Sequence, residues 1–295
     1  MNTRSLFADA LPAAATPARY ALAVPADARR SLAIGWFSLA LASLIGSGAF
    51  AILLVLARAP YLKELFPVAD FFRVALVVHV DLSVLVWFAS FGGLLWSLNG
   101  SARFLPAGWA GLGIAGAGVL GLCAAPFLQA GRPVMSNYVP VVDSPLFLGS
   151  LIVLAIGCAV LIARAMWTAP RVGARLDGAG ALRFGLSSAL VSAAIALIAF
   201  AWSWLQLPTS LDGKAYYEML FWGGGHVLQF TWTLLMFVAW LWLAEASGAP
   251  AHLSPRVVLL LFGIGLVSVF ATPVLYLMHD VLSVEHYRMQ TWLMR

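Results

Sequence analysis

Charge is scarce in this sequence. Asp, Glu, Lys and Arg make up 10% of its 295 residues, where a soluble domain carries roughly 25%. So few charges cannot hold most of the surface in water, which excludes an ordinary globular protein of the aqueous phase. Cysteine is nearly absent. Cys123 and Cys158 both lie within apolar runs, so they read as small buried hydrophobes, and neither a disulfide nor a thiolate metal site is expected. An unbroken apolar stretch is missing from the first 30 residues, where Asp9, Pro12 and Pro17 intervene, so no cleaved signal peptide is read there. The basic residues are spread over the loops, and the net charge of +5 reads as the positive-inside bias of a membrane protein. Nucleic acid is not an expected partner.

What fills the chain is apolar: 62% of it is hydrophobic, with 12 Trp and 18 Phe. Runs able to cross about 30 Å of hydrocarbon, roughly 20 residues each, fall at residues 32–57, 71–98, 107–130, 145–167, 181–206, 216–245 and 255–280. Within lipid only a helix or a closed barrel satisfies its own backbone. The pattern therefore predicts an all-α fold, a polytopic bundle of about seven transmembrane helices over residues 31–290, preceded by a tail over residues 1–30. Short punctuation such as Asn99-Gly100, Gly131-Arg132-Pro133 and Asp212-Gly213 leaves no room for a second domain. Of 17 Lys and Arg, ten fall on the side of the N-terminus and seven on the other. That places the N-terminus in the cytoplasm of a bacterial-type inner membrane.

Ionisable groups inside a membrane are costly and mark function. His79 lies about eight residues into the second span, His226 about ten into the sixth, and His279 at the outer end of the seventh. At about 1.5 Å per residue all three come out in the outer half of the membrane, and this shared height points to a metal or haem site. A lone histidine can equally serve as a hydrogen-bond link between helices. For His226 the preceding Gly223-Gly224-Gly225 argues further, because each helical Gly costs about 1 kcal/mol against Ala and three together imply a close neighbour, a porphyrin or a packed helix. Ser83, Ser90 and Ser97 continue the face of His79 and should point into the bundle. Asp81 lies about 200° around the helix from His79 and is left to another helix or a proton path. Gln229, one turn from His226, is placed to bond a ligand. Pro273 should kink the seventh span. His252 falls in a loop, and His286, two turns beyond His279, is expected at the surface. Trp87, Trp96, Trp222, Trp232, Trp240 and Trp242 read as a lipid-facing or interfacial belt.

The segment from His79 through Val80-Asp81-Leu82-Ser83 to Trp87-Phe88, followed by Phe91-Gly92-Gly93, is similar to the second helix of the catalytic subunit of the haem–copper oxidases, a superfamily that includes the nitric oxide reductases. Trp222-Gly223-Gly224-Gly225-His226-Val227-Leu228-Gln229 resembles that family's sixth helix. The 53-residue separation of His226 and His279 is close to its spacing to the histidine pair on the seventh. The resemblance covers essentially the whole chain from residue 31. It implies a low-spin haem on His79, and copper on His226 and His279 with Asp280 in the place of the second histidine; charge and level, apart from the resemblance, put Arg73 where it could pair a haem propionate. It implies as partners other oxidase subunits and a cytochrome or quinol electron donor, and as reaction the reduction of O2 or NO. Departures from the pattern are Asp280, Phe230 in place of a tyrosine with Tyr276 as a substitute phenol, and Leu228 where a glutamate can stand. About seven spans stand where the family has about twelve, so the resemblance supplies no residue for the second axial position of the low-spin haem, nor any for the high-spin haem. Two other readings stay open: a haem-binding or scaffold subunit without catalysis, and a haem-free transporter with Asp81 and Glu218 on a polar path.

Overall fold

The computed structural model describes residues 19–61, 70–129, 131–173, 176–249 and 252–294. In chain order these form α1 (Ala28–Leu56), α2 (Phe71–Val80), a π-helical turn (Asp81–Val86), α3 (Trp87–Asn99), α4 (Leu105–Leu128), strands β1 (Arg132–Val134) and β2 (Val141–Asp143), then α5 (Pro145–Thr168), α6 (Gly178–Gln206), α7 (Gly213–Ala246), α8 (Pro255–Met278) and α9 (Val284–Trp292). Counting Phe71–Asn99 as one, seven helices are long and apolar enough to cross a membrane. The fold is an all-α polytopic bundle, and the spans expected from hydropathy agree with it to within four residues at every end.

Their starts are set by polar caps. Asp27 accepts the Arg29 N–H at the head of α1. Ser144, Asp177, Ser254 and Ser283 accept N–H groups in the first turns of α5, α6, α8 and α9, donors that a helix start otherwise leaves unpaired. Packing between spans rests on small residues. A Cβ on Gly118 would strike the backbone of Leu154, and one on Gly157 that of Ala115, so α4 and α5 approach closely. Gly93 of α3 leaves room for the Trp36 indole of α1 in the same way. Close approach matters because lipid tails give apolar helices little reason to prefer each other.

Three features depart from the expected picture. The second span is interrupted by the π turn, where the Ser83 hydroxyl donates to the carbonyls of His79 at 2.8 Å and Val80 at 3.2 Å. Residues 132–134 and 141–143, taken from sequence as a plain connection, form an antiparallel hairpin with Pro133 opposite Val142. Beyond α8 the chain turns into α9, which packs on α7 and α8. The tryptophan belt is also only partly a belt. Trp96 and Trp222 are buried, and their indole N–H groups donate to Leu186 O and Tyr287 O, each at 3.1 Å. Trp240 is exposed as expected.

Candidate functional site

His79 is the second-last residue of α2, half-buried. Its Nδ1 lies 2.9 Å from the Ser47 carbonyl oxygen of α1. The Ser47 hydroxyl oxygen is also 2.9 Å from Nδ1, but the carbonyl can only accept, so the contact with it favours the tautomer with the proton on Nδ1 and the lone pair on Nε2. Ser47 meanwhile donates its hydroxyl to the His79 carbonyl at 3.1 Å. His226, within α7 and 3% exposed, shows a similar arrangement: Nδ1 lies 2.7 Å from the Trp222 carbonyl one turn back, and among the described residues no hydrogen bond engages Nε2. Both imidazoles are thus held in the tautomer that metal ligands adopt when a backbone carbonyl orients them.

The glycines before His226 make room for aromatic rings. A Cβ on Gly223 would strike the Tyr276 phenol, one on Gly224 the Phe200 ring, and one on Gly225 the Tyr138 ring. The bulky neighbours they imply are therefore side chains of α8, α6 and the hairpin. Tyr138, at the hairpin tip, lies 4.9 Å from the His226 ring and Trp222 lies 4.7 Å from it, centroid to centroid. The tip is fastened to α7: Asn137 N–H donates to Glu218 Oε2 at 3.1 Å and the Asn137 amide to Glu218 Oε1. Burial pushes the Tyr138 phenol up to about 12, and negative charge on Tyr287 and Glu218 adds to the rise.

Sequence reasoning missed His286. Expected at the surface, it is 1% exposed, because α9 folds back over the end of α7 with Tyr287 stacked on Trp222 at 3.8 Å. The His286 ring stands edge-on to Tyr276 at 4.7 Å, whose hydroxyl shares a 2.7 Å hydrogen bond with Ser203 of α6. No well-aligned hydrogen bond reaches either His286 ring nitrogen among the described residues, though the ring lies close enough to the Leu275 backbone to interact with it; Nε2 of Gln290, one turn further on, has no partner among them. Burial holds the imidazolium of His286 below its usual range, with the nearby His279 and His226 adding to the effect. The visible signal was local: Ser283 three residues before His286 is a helix-start pattern, and His286 and Gln290 share one face of the helix it starts.

The remaining expected residues separate from this cluster. His279 is half-buried directly after α8. Asp280 is exposed, and its Oδ1 accepts the Leu282 N–H at 2.8 Å, which makes it a turn residue before α9. Gln229 is exposed instead of facing the His226 site. Arg73 is exposed and paired with Asp70 at 3.5 Å. Asp81 is 1% exposed and neither carboxylate oxygen has a partner among the described residues. Ser90 and Ser97 are buried as the stripe predicted. Among the described residues no three His, Cys, Asp or Glu side chains converge to hold a metal ion. His279 and His226 lie near enough to His286 to act on it electrostatically, while the contacts of His79 run to Ser47 of α1. A cavity of about 570 Å³ between Trp204, Leu207, Asp212, Tyr217 and Asp143 borders none of these histidines.

The chain matches no family model and no solved structure. It is 31% identical over 211 residues to an uncharacterized protein of Aquifex aeolicus, an alignment that covers 70% of this chain and 52% of the relative. It is 26% identical over 239 residues to an uncharacterized protein of Rickettsia prowazekii, covering 71% and 46%. The chain spans about half the length of these curated relatives.

Proposed function

We propose that this chain is a haem-binding membrane protein of the haem–copper oxidase kind, which carries electrons through a low-spin haem on His79. The observation that supports it most is the His79 tautomer: Nδ1 donates to the Ser47 carbonyl, leaving Nε2 as a fixed lone pair on a half-buried ring. That donor fits haem iron. A bound haem would supply one-electron cycling between ferric and ferrous iron. The protein's part is to hold the imidazole. Ser47 ties it to α1 from one side, and the π turn that begins two residues later sets the direction of α2 relative to α3. In this reading the membrane is a bacterial inner membrane, the N-terminus is cytoplasmic, and the partners are other oxidase subunits and a cytochrome or quinol donor.

Copper fits less well. His226 and His279 supply two donors, but Asp280 is exposed and engaged in a turn, and three ligands do not converge among the described residues. No step of O2 or NO reduction is therefore drawn through copper, and electron carriage by haem is the function the geometry favours. Purified protein tests it by a reduced-minus-oxidised optical spectrum. The wild type should show a haem band and His79→Ala should lose it. A wild type without haem, or a variant with an unchanged band, overturns the reading.

A further inference from the structure

Where α6 runs into α7, the chain walls a cleft of about 570 Å³ that no histidine borders. Three elements line it. Trp204 stands in the last turn of α6, Asp212 and Tyr216 stand at the head of α7, and Asp143 comes from β2. The Tyr217 hydroxyl donates to Asp143 Oδ1 at 3.2 Å, and the rings of Tyr216 and Tyr217 meet edge to face at 5.2 Å. The hairpin and α7 therefore hold these walls in fixed relation. Asp212 precedes the first turn of α7, but its side chain caps no N–H there, so the carboxyl remains available to the cleft. A Cβ built on the neighbouring Gly213 would meet nothing within 4 Å, which marks open space beside that carboxyl. Trp204 is 63% exposed and Leu205 is 75% exposed. An exposed indole at the end of a span belongs at the level of the lipid headgroups, so the cleft opens to both water and membrane.

We propose that this cleft binds an organic cation with a quaternary ammonium head, held by Asp143 and Asp212 and packed against the rings of Trp204 and Tyr216. Its volume lies in the range of small-ligand sites, about 300–1,000 Å³. Two acidic side chains and no Lys or Arg line it, which disfavours an anion. Lys214, close in sequence, is exposed and does not line the cleft. A bare metal ion would leave most of the space and the aromatic walls unused, whereas ring faces attract a bulky, weakly hydrated ammonium. Tyr217 is a positioning residue, since its hydroxyl orients the Asp143 carboxyl. Two sources carry this chemistry: a soluble alkylammonium, and the choline headgroup of a lipid. The inference stands apart from the haem reading and uses none of its residues.

Equilibrium binding of labelled choline to the full chain in maltoside detergent tests the proposal, with the neutral carbon isostere of choline as competitor. The wild type should bind choline, and the isostere should not displace it. Asp212→Asn and Trp204→Leu should each weaken binding roughly two- to fivefold, as expected for an exposed charge pair and an exposed ring–cation contact. Asp212→Lys should abolish it. Should Asp212→Lys fail to fold, Trp204→Leu decides, because Trp204 is exposed and its replacement leaves the core intact. Nanodiscs separate the two sources. Choline binding that is lost in phosphatidylcholine but kept in phosphatidylglycerol assigns the cleft to a lipid headgroup, and equal binding in both assigns it to a soluble cation; either supports the class proposed. Displacement by the isostere, or unchanged affinity in Asp212→Lys and Trp204→Leu, overturns it. So does a wild type that binds calcium but not choline. The haem band of the same samples should be unaffected by all three substitutions, so failure here and failure of the haem reading are told apart.

Discussion

Gly225 shows how much a single missing side chain decides here. Its lack of a Cβ is what lets the Tyr138 ring lie against His226. Gly225→Ala should overpack that contact and destabilise the protein by roughly 1–3 kcal/mol, seen as earlier thermal unfolding in detergent, with no change counting against the packing described. At the head of α1, the hydrogen bond from the Arg29 side chain holds the Asp27 carboxyl below its usual range. A lowered folded value means that the cap contributes fully above the ordinary carboxylate value of about 3.9 and is lost as pH falls through the lowered one. Protection of the first-turn amides of α1, taken relative to their intrinsic exchange rates, should therefore fall in that acid window in the wild type, and Asp27→Ala should remove that change. At this scale the sequence disclosed His79, His226 and His279, because an ionisable group amid apolar residues stands out. It hid His286, whose polar neighbours Glu285, Arg288 and Gln290 look like those of a solvated helix. Burial of His286 depends on α9 docking against Trp222, a tertiary event; the Ser283 pattern announces the helix but not its docking.

The nine residues of α9 are too few to be stable alone, since isolated helices shorter than about 12–15 residues are marginal in water. Its existence rests on the Ser283 cap and on docking against α7. Ser283→Ala removes the side-chain acceptor of the His286 N–H and should cost roughly 0.5–2 kcal/mol. Hydrogen exchange over residues 284–292 should rise accordingly while the spans stay protected, and unchanged exchange would mean that the cap contributes nothing. The seven spans were legible to within a turn because hydrocarbon thickness fixes how long an apolar helix must be. The π turn at Asp81–Val86 and the three-residue strands of the hairpin were not. One adds a residue to a helix without changing its hydropathy, and the other is too short for its alternation to register. Both matter to the site: the hairpin brings Tyr138, and the π turn follows His79 by two residues.

At the scale of the whole molecule, the charge bias of ten against seven basic residues predicts an orientation for the bundle that can be tested directly. Arg103 and Asp212 are both exposed, on connections after the second and fifth spans. With an N-terminus inside, an Arg103→Cys thiol should react with an impermeant maleimide only in inverted vesicles, and an Asp212→Cys thiol in intact spheroplasts. The opposite pattern would invert the topology. The half-buried Cys123 and Cys158 stay in the background of both samples. The bundle thus presents His79 against α1, His226 against Trp222 and Tyr138, and His286 against Tyr276, and the proposed electron-carrying role stands on the first.

Cavity rescue tests that assignment most directly. His79→Gly removes the imidazole while keeping the α2 backbone, so the variant should lose its reduced haem band and regain it when free imidazole is added to fill the space. A haem band that persists in the variant without imidazole would show that another residue holds the iron, and the assignment to His79 would be wrong.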